Sequence, residues 1–251
     1  MMNLNNIKPI QLIHITETHS TNSYLQDLCS SRKIEEFTTV VADFQNSGRG
    51  QRGNTWESKK GENLLFSLVV YPEFLKAHCQ FLLSQIVSLA IKEELDQYTT
   101  GIAIKWPNDI YWQDKKICGI LIENNLMGVN ICQSIVGIGL NINQETFYSP
   151  APNPISLKQI TGEKYNLIHI LESVINRIQR RYHSLAEGNE AAIEMDYQQA
   201  LYRKSGLYRF KDKNGEFMAS IKKVEPTGKL ILIDEENKER GYLFKEVSYL
   251  L

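Results

Sequence analysis

Between residues 102 and 138, four runs rich in aliphatic residues follow one another at short spacing: 102–106, 110–113, 117–124 and 131–138. Runs of this length, dense in Ile and bounded by polar or turn residues, read as strands. Ahead of them, residues 63–71 read as another buried strand. Residues 74–98 read as a long amphipathic helix, with Phe81, Leu82, Ile86, Leu89, Ala90 and Ile91 on its apolar side. Strands in close succession beside such a helix imply a mixed sheet backed by helices, an α+β fold.

The flanking segments fit that layer. Residues 12–15 alternate as a short strand, and Ser20-Thr21-Asn22 then caps a helix on which Tyr24, Leu25 and Leu28 recur. Residues 38–44 are β-branched and strand-like. Residues 45–61 are polar, punctuated by glycine, and carry Arg49, Arg52, Lys59 and Lys60. A loop of this length inside a compact domain invites a functional explanation. After a turn containing Pro150, Pro152 and Pro154, helices are expected at 156–161, 167–185 and 190–202. From Gly206 the pattern changes to short strands, with turns at Lys213-Asn214-Gly215, Pro226-Thr227-Gly228 and around 235–238. The expected division is a large domain over 1–203 and a small β-barrel over 204–251, the latter too small to be very stable alone.

Composition narrows the function classes. With 42% hydrophobic residues in 251, the chain can bury a full core. Lys and Arg number 28 against 29 Asp and Glu, so no global field recruits nucleic acid or an anionic membrane. The apolar stretches at 64–70 and 81–91 fall short of the roughly 20 residues of a membrane helix. The segment MMNLNNIKPIQ lacks the charged and apolar regions of a signal peptide, so a cytoplasmic protein is expected. Cys29, Cys79, Cys118 and Cys132 are scattered and make no C-x-x-C pair, which reads as buried, reduced thiols for most of them.

Four clusters carry chemistry. Gly48-Arg49-Gly50-Gln51-Arg52-Gly53-Asn54-Thr55-Trp56 contains G-x-G-x-x-G, but the residues that follow have no apolar helical stripe, which excludes a dinucleotide fold; no Gly-Lys-Ser/Thr makes it a P-loop. Such a loop can expose backbone N–H groups among guanidiniums, a setting for a carboxylate meeting a phosphate; taken alone it reads as a solvated basic turn. In Lys105-Trp106-Pro107-Asn108-Asp109 the proline favours a strand junction that presents Lys105, Asn108 and Asp109, residue types suited to phosphate and Mg²⁺. The Trp106-Pro107 bend can be structural or functional. Lys116 precedes the apolar run Ile117-Cys118-Gly119-Ile120-Leu121-Ile122-Glu123, where by itself it is a strand-end charge. Gly137-Ile138-Gly139-Leu140-Asn141-Ile142-Asn143 ends a strand with small residues and amides, a pattern of close backbone approach or of a turn.

In this order, Ser20-Thr21-Asn22, Gln45 with G-R-G-x-R-G, K-W-P-N-D, K-x-x-G-I-L-x-E and G-x-G-x-N resemble the catalytic domain of biotin protein ligases over residues 12–145. The β-rich tail is similar to that family's small SH3-like C-terminal domain. The resemblance implies a synthetase-like α+β fold and an enzyme that uses ATP and Mg²⁺ to convert biotin to biotinyl-5'-AMP. The biotinyl group then passes to a lysine of a biotin carboxyl carrier protein. It also implies roles. Ser20, Thr21, Asn22 and Gln45 would bond the ureido ring. Arg49, Gly50, Gln51, Lys116 and the backbone at Gly119 would surround the carboxylate and the adenylate phosphate. Trp56, Asn108 and Asn141 would serve the nucleotide. Arg49, Arg52, Lys105 and Lys116 would stabilise charge in the reaction. Asp109 would hold Mg²⁺ through water or accept a proton from the incoming lysine.

Many relatives carry Arg where this chain has Gln51, and often where it has Asn54. Gln51 keeps a neutral hydrogen bond but loses a bidentate charged grip, which implies weaker retention of the adenylate. The resemblance admits monomers and homodimers. Lipoate protein ligase is the related alternative, but its R-R-x-x-G-G-G-x-V-x-H-D run is absent. A biotin-sensing repressor would need an N-terminal DNA-binding domain, for which a first strand near residue 11 leaves no room. A non-catalytic scaffold sits poorly with Arg49, Lys105, Asp109 and Lys116 all being present.

Overall fold

A computed structural model describes residues 9–50, 54–148 and 153–250. The expected mixed sheet has seven strands: β1 (Leu12–Thr18), β2 (Thr39–Gln45), β3 (Leu64–Val70), β4 (Ile102–Lys105), β5 (Asp109–Trp112), β6 (Lys115–Met127) and β7 (Asn130–Leu140). Their order across the sheet is β1-β2-β3-β7-β6-β5-β4. Only β1 and β2 run parallel; every other neighbour is antiparallel. The four runs between 102 and 138 therefore form a meander from the sheet edge inward, as short connections require. β6 and β7 extend beyond their expected ends because they pair with each other along nearly their whole length, Cys118 opposite Leu140 and Met127 opposite Asn130.

Adjacent residues of these strands serve opposite faces. Val41, Leu68 and Val136 join the main core under the helices α2 (Phe81–Leu95), α4 (Leu167–Ala186) and α5 (Glu190–Ala200), whereas Val40, Val69 and Ile135 meet Leu25 of helix α1 (Thr21–Ser31). The expected helix over 74–98 is shorter: Lys76 bridges to Asn130, a 3-10 turn spans Ala77–Cys79, and α2 starts at Phe81. It is also buried almost all round, because the sheet covers one side and α4 and α5 the other. α4 shows the amphipathic stripe in full, with Ile170, Leu171, Val174, Ile175, Ile178, Tyr182 and Leu185 inward and Asn166 capping its first turn. A short helix α3 (Leu157–Thr161) is closed by a Ser156–Gln159 capping box. All four cysteines are free, but only Cys118 is buried; the others are half-exposed, contrary to the expectation for most of them. No helix among the described residues is long and apolar enough to cross a membrane.

The tail forms β8 (Tyr208–Asp212), β9 (Gly215–Val224), β10 (Leu230–Asp234), β11 (Glu239–Tyr242) and β12 (Val247–Tyr249), an antiparallel sheet ordered β11-β10-β9-β8-β12. β11 and β12 are its two edges and do not pair, so it is an open sheet where a barrel was expected. It is bound to the larger sheet at Trp106, whose indole Nε1 donates to the Gly228 carbonyl at 2.9 Å and whose ring meets Phe244 edge-on. Gly228 has φ +88°, and a Cβ there would come within 2.9 Å of the Phe81 ring; a turn this close to its neighbour needs glycine. The Trp106-Pro107 bond is cis and its tryptophan anchors the second sheet, while both residues also line a cavity.

Candidate active site

A cavity of about 530 Å³ opens where the N-terminus of α1, the loop after β2, the floor of β6 and β7, the β4–β5 hairpin and the segment before β12 converge. That volume suits a small-molecule ligand. One end is neutral and closely bonded. Ser20, Thr21 and Asn22 are at most 5% exposed. Ser20 makes no side-chain cap bond; the cap of α1 comes from Gln45, whose Oε1 accepts from the Thr21 N–H at 2.7 Å and from the Thr21 hydroxyl at 3.1 Å. Ser67 of β3 lies within 2.7 Å of the Thr21 hydroxyl and 2.5 Å of Asn22 Oδ1. Asn22 Nδ2 donates to Glu123 at 2.7 Å and to the Leu121 carbonyl at 3.3 Å. Sequence reasoning missed Ser67. Its signal is a single hydroxyl in the otherwise apolar strand Leu64–Val70, where only a polar partner makes burial tolerable.

Two glycines create the floor. A Cβ on Gly137 would fall inside the Asn22 amide, and one on Gly139 inside the Trp56 indole. Close approach, rather than a turn, is what these positions require. The Trp56 indole lies against Gly139 and Gly119, and its Nε1 is buried without a partner.

The other end is charged. Lys105 and Asp109 face each other across the β4–β5 hairpin, and Asn108 braces it by donating to the Ile120 carbonyl at 2.7 Å. Asp109 Oδ1 lies 2.6 Å from Lys116 Nζ in an ion pair whose angles do not make a hydrogen bond. Lys116 Nζ is also 5.6 Å from the centre of the Trp56 ring. Lys105 donates to the Tyr111 hydroxyl at 2.9 Å and sits 5.3 Å from the Tyr249 ring of β12. Burial among these rings pushes the Lys105 pKa below the usual lysine range, Asp109 opposing the shift and Lys116 adding to it. The same burial raises the Tyr111 phenol, which keeps it a neutral partner.

The described arms of the glycine-arginine hairpin, residues 48–50 and 54–56, pair with each other: Arg49 bridges Thr55, the Gly50 N–H donates to the Asn54 carbonyl at 2.7 Å, and the Trp56 N–H to the Gly48 carbonyl at 2.9 Å. Arg49 reaches Glu123 at 2.8 Å. The expected residues Gln51 and Arg52 lie outside the described residues. Ser20, Thr21, Asn22, Gln45, Arg49, Gly50, Trp56, Lys105, Asn108, Asp109, Lys116 and Gly119 all line the one cavity. Asn141 does not; it is buried at the end of β7, donating to the Ile155 carbonyl at 3.1 Å, with Oδ1 unpartnered. The described residues contain no cluster of three or more His, Cys, Asp or Glu able to cage a metal.

This arrangement can hold a neutral polar ring at one end and gather anionic oxygens at the other. The chain belongs to the biotin/lipoate A/B protein ligase family, whose model matches residues 14–141. Among its relatives is the bifunctional ligase/repressor BirA of Bacillus spizizenii, 28% identical over 237 residues that make up 92% of this chain and 72% of that protein. The biotin--[acetyl-CoA-carboxylase] ligase of Paracoccus denitrificans is 33% identical over 59% of this chain and 63% of its own. Among solved structures, the biotin protein ligase from Aquifex aeolicus in complex with biotin and ATP superposes with a TM-score of 0.78 at 26% identity, over 95% of this chain and 97% of that one.

Proposed function

We propose that this protein is a biotin protein ligase: it activates biotin with ATP to biotinyl-5'-AMP and transfers the biotinyl group to a lysine of a biotin carboxyl carrier protein. The observation that carries the reading is one cavity with a buried neutral polar end and a cationic end on a glycine floor. A ureido ring, planar and polar on its edges, needs fixed partners once it leaves water. Thr21, Asn22 and Gln45 supply them, with Ser20 offering a hydroxyl not spent on capping.

In the first step a biotin carboxylate oxygen attacks the α-phosphorus of ATP and pyrophosphate leaves. Two anions must meet, and Arg49, Lys105 and Lys116 lower their repulsion and stabilise the charge of the crowded phosphorus. In the second step the carrier lysine's nitrogen attacks the acyl carbon, AMP leaves, and the amine sheds a proton. Asp109 is the one carboxylate lining the cavity among the described residues and is the acceptor for that proton. A Mg²⁺ ion bound chiefly by substrate phosphates and water needs only one or two protein carboxylates, and Asp109 fits that requirement; the ion would neutralise polyphosphate charge. Trp56, which lines the cavity, is assigned to cover adenine, whereas Asn141, buried outside the cavity, is assigned no contact with it. Residues 204–251 are assigned to a separate small domain that walls the charged end through Tyr249.

The test is mass spectrometry of a purified carrier domain incubated with the protein, biotin and ATP. One biotinyl group on one lysine, absent when either small molecule is omitted, is expected. No gain across a panel of carrier domains overturns the reading.

A further inference from the structure

Glu123 closes the strand motif Lys116–Glu123, and neither step of the proposed reaction uses it. It lies just outside the cavity lining, bonded to two residues that do line it, Asn22 and Arg49. A single oxygen, Oε2, accepts from Asn22 Nδ2 at 2.7 Å and from Arg49 Nη2 at 2.8 Å. Asn22 cannot turn its amide over, because its Oδ1 takes the Ser67 hydroxyl and its Nδ2 faces two acceptors, Glu123 and the Leu121 carbonyl. A continuous polar chain therefore runs from Gln45 through Thr21, Ser67 and Asn22 to Glu123, and from there to the glycine-arginine hairpin.

We infer that Glu123 is a positioning residue that ties Arg49 to the ring-binding end of the cavity, so that a ring seated against Thr21 and Asn22 and a guanidinium held for the carboxylate are set together. A carboxylate suits this place for two reasons. It accepts from an amide and a guanidinium at once, and the guanidinium, with five N–H donors, keeps others for an anionic ligand. Arg49 stands between two glycines on the first arm of that hairpin, and its ion pair is the charged tie between the described arms and the sheet. The ion pair is nearly half exposed, so its own strength is modest; its effect is to fix where Arg49 stands.

The coupling to the ring rests on the proposed biotin reading, whereas the tie itself does not, and the test separates them. Exchange of the Gly50 and Trp56 amide hydrogens, followed by NMR without ligand, reports the hairpin. Glu123→Ala is expected to speed both about fivefold, the size a half-exposed ion pair supports, and the isosteric Glu123→Gln by less. In biotin titrations Glu123→Ala and Arg49→Ala should each weaken binding about fivefold. The double variant should weaken it by about the same factor, against the roughly twenty-fivefold of independent effects. Unchanged exchange in Glu123→Ala, or losses that multiply in the double variant, overturns the inference. A wild-type protein that binds no biotin removes the ligand reading, and the exchange result then decides the tie alone.

Discussion

The two ends of the cavity are built in opposite ways. At the ring end the polar groups lining the cavity are neutral, Ser20, Thr21 and Asn22 are almost wholly buried, and Gln45, Thr21, Ser67 and Asn22 form one hydrogen-bonded chain that Glu123 completes from outside the lining. At the charged end, three cations and one carboxylate are only partly buried, held by aromatic rings and by the ion pairs Arg49–Glu123 and Lys116–Asp109. Neutral groups can wait for a ligand in mutual hydrogen bonds at little cost, but like charges cannot be gathered without a counter-charge. The first end is satisfied within itself, and the second carries an excess of positive charge suited to anions.

The sharpest test of this contrast is Lys116→Ala. Loss of a cation that acts as charge develops should lower adenylate formation by about a hundredfold or more, while biotin binding falls far less. Equal loss of both would mean that the ends do not divide binding from chemistry. Ser67→Ala probes the ring end. Removing the Ser67 hydroxyl leaves Asn22 Oδ1 without its donor and should weaken biotin by about tenfold, with the rate per bound biotin kept. A fall in rate at saturating biotin would break the comparison from the other side.

A smaller effect is expected for Gln51→Arg. A restored bidentate cation should slow release of the acyl adenylate by severalfold, measured as free biotinyl-5'-AMP in the absence of carrier. Equal release from both proteins sinks the idea. Smallest is a shift in pH dependence at Lys105. Its folded pKa is depressed by burial, so it sheds its proton below the ordinary lysine range. Activity that needs this charge should therefore decline on the alkaline side earlier than a solvated lysine would dictate, and Lys105→Arg should move that limb upward. Stability carries the opposite sign. Between the lowered folded value and the unfolded one the unfolded chain holds more protons, so this group adds stability as pH rises through that window. An alkaline limb unmoved by Lys105→Arg would detach Lys105 from the chemistry.

Much of this was legible in the sequence, for reasons that differ by region. The seven strands declare themselves through β-branched runs and short spacing, and the tail through its turns, where Gly215, Gly228 and Asn237 all take positive φ. The helix over 74–98 was overextended because apolar residues near its start, Phe74 and Leu75, satisfy a helical pattern while Lys76 is spent on a bridge to Asn130. Ser67 and Glu123 escaped because their meaning is relational. A serine within a strand has no local signature, Glu123 stands in the K-x-x-G-I-L-x-E run without a role that the run alone suggests, and only the register of β3, β6 and β7 brings both to Asn22. Asn141 shows the converse: the motif singled it out, yet its amide faces the backbone of Ile155.

The bond from Trp106 to Gly228 joins residues 122 apart in the chain. Its consequence is hereditary. A mutation in the turn 226–228 reaches the hairpin of Lys105 and Asp109 although no active-site residue has changed, and a side chain at 228 meets Phe81 before it meets solvent. Drift in the tail is thereby constrained by the chemistry of the larger sheet. Among descendants of this sequence, positions 81, 106 and 228 should change together or remain as they are.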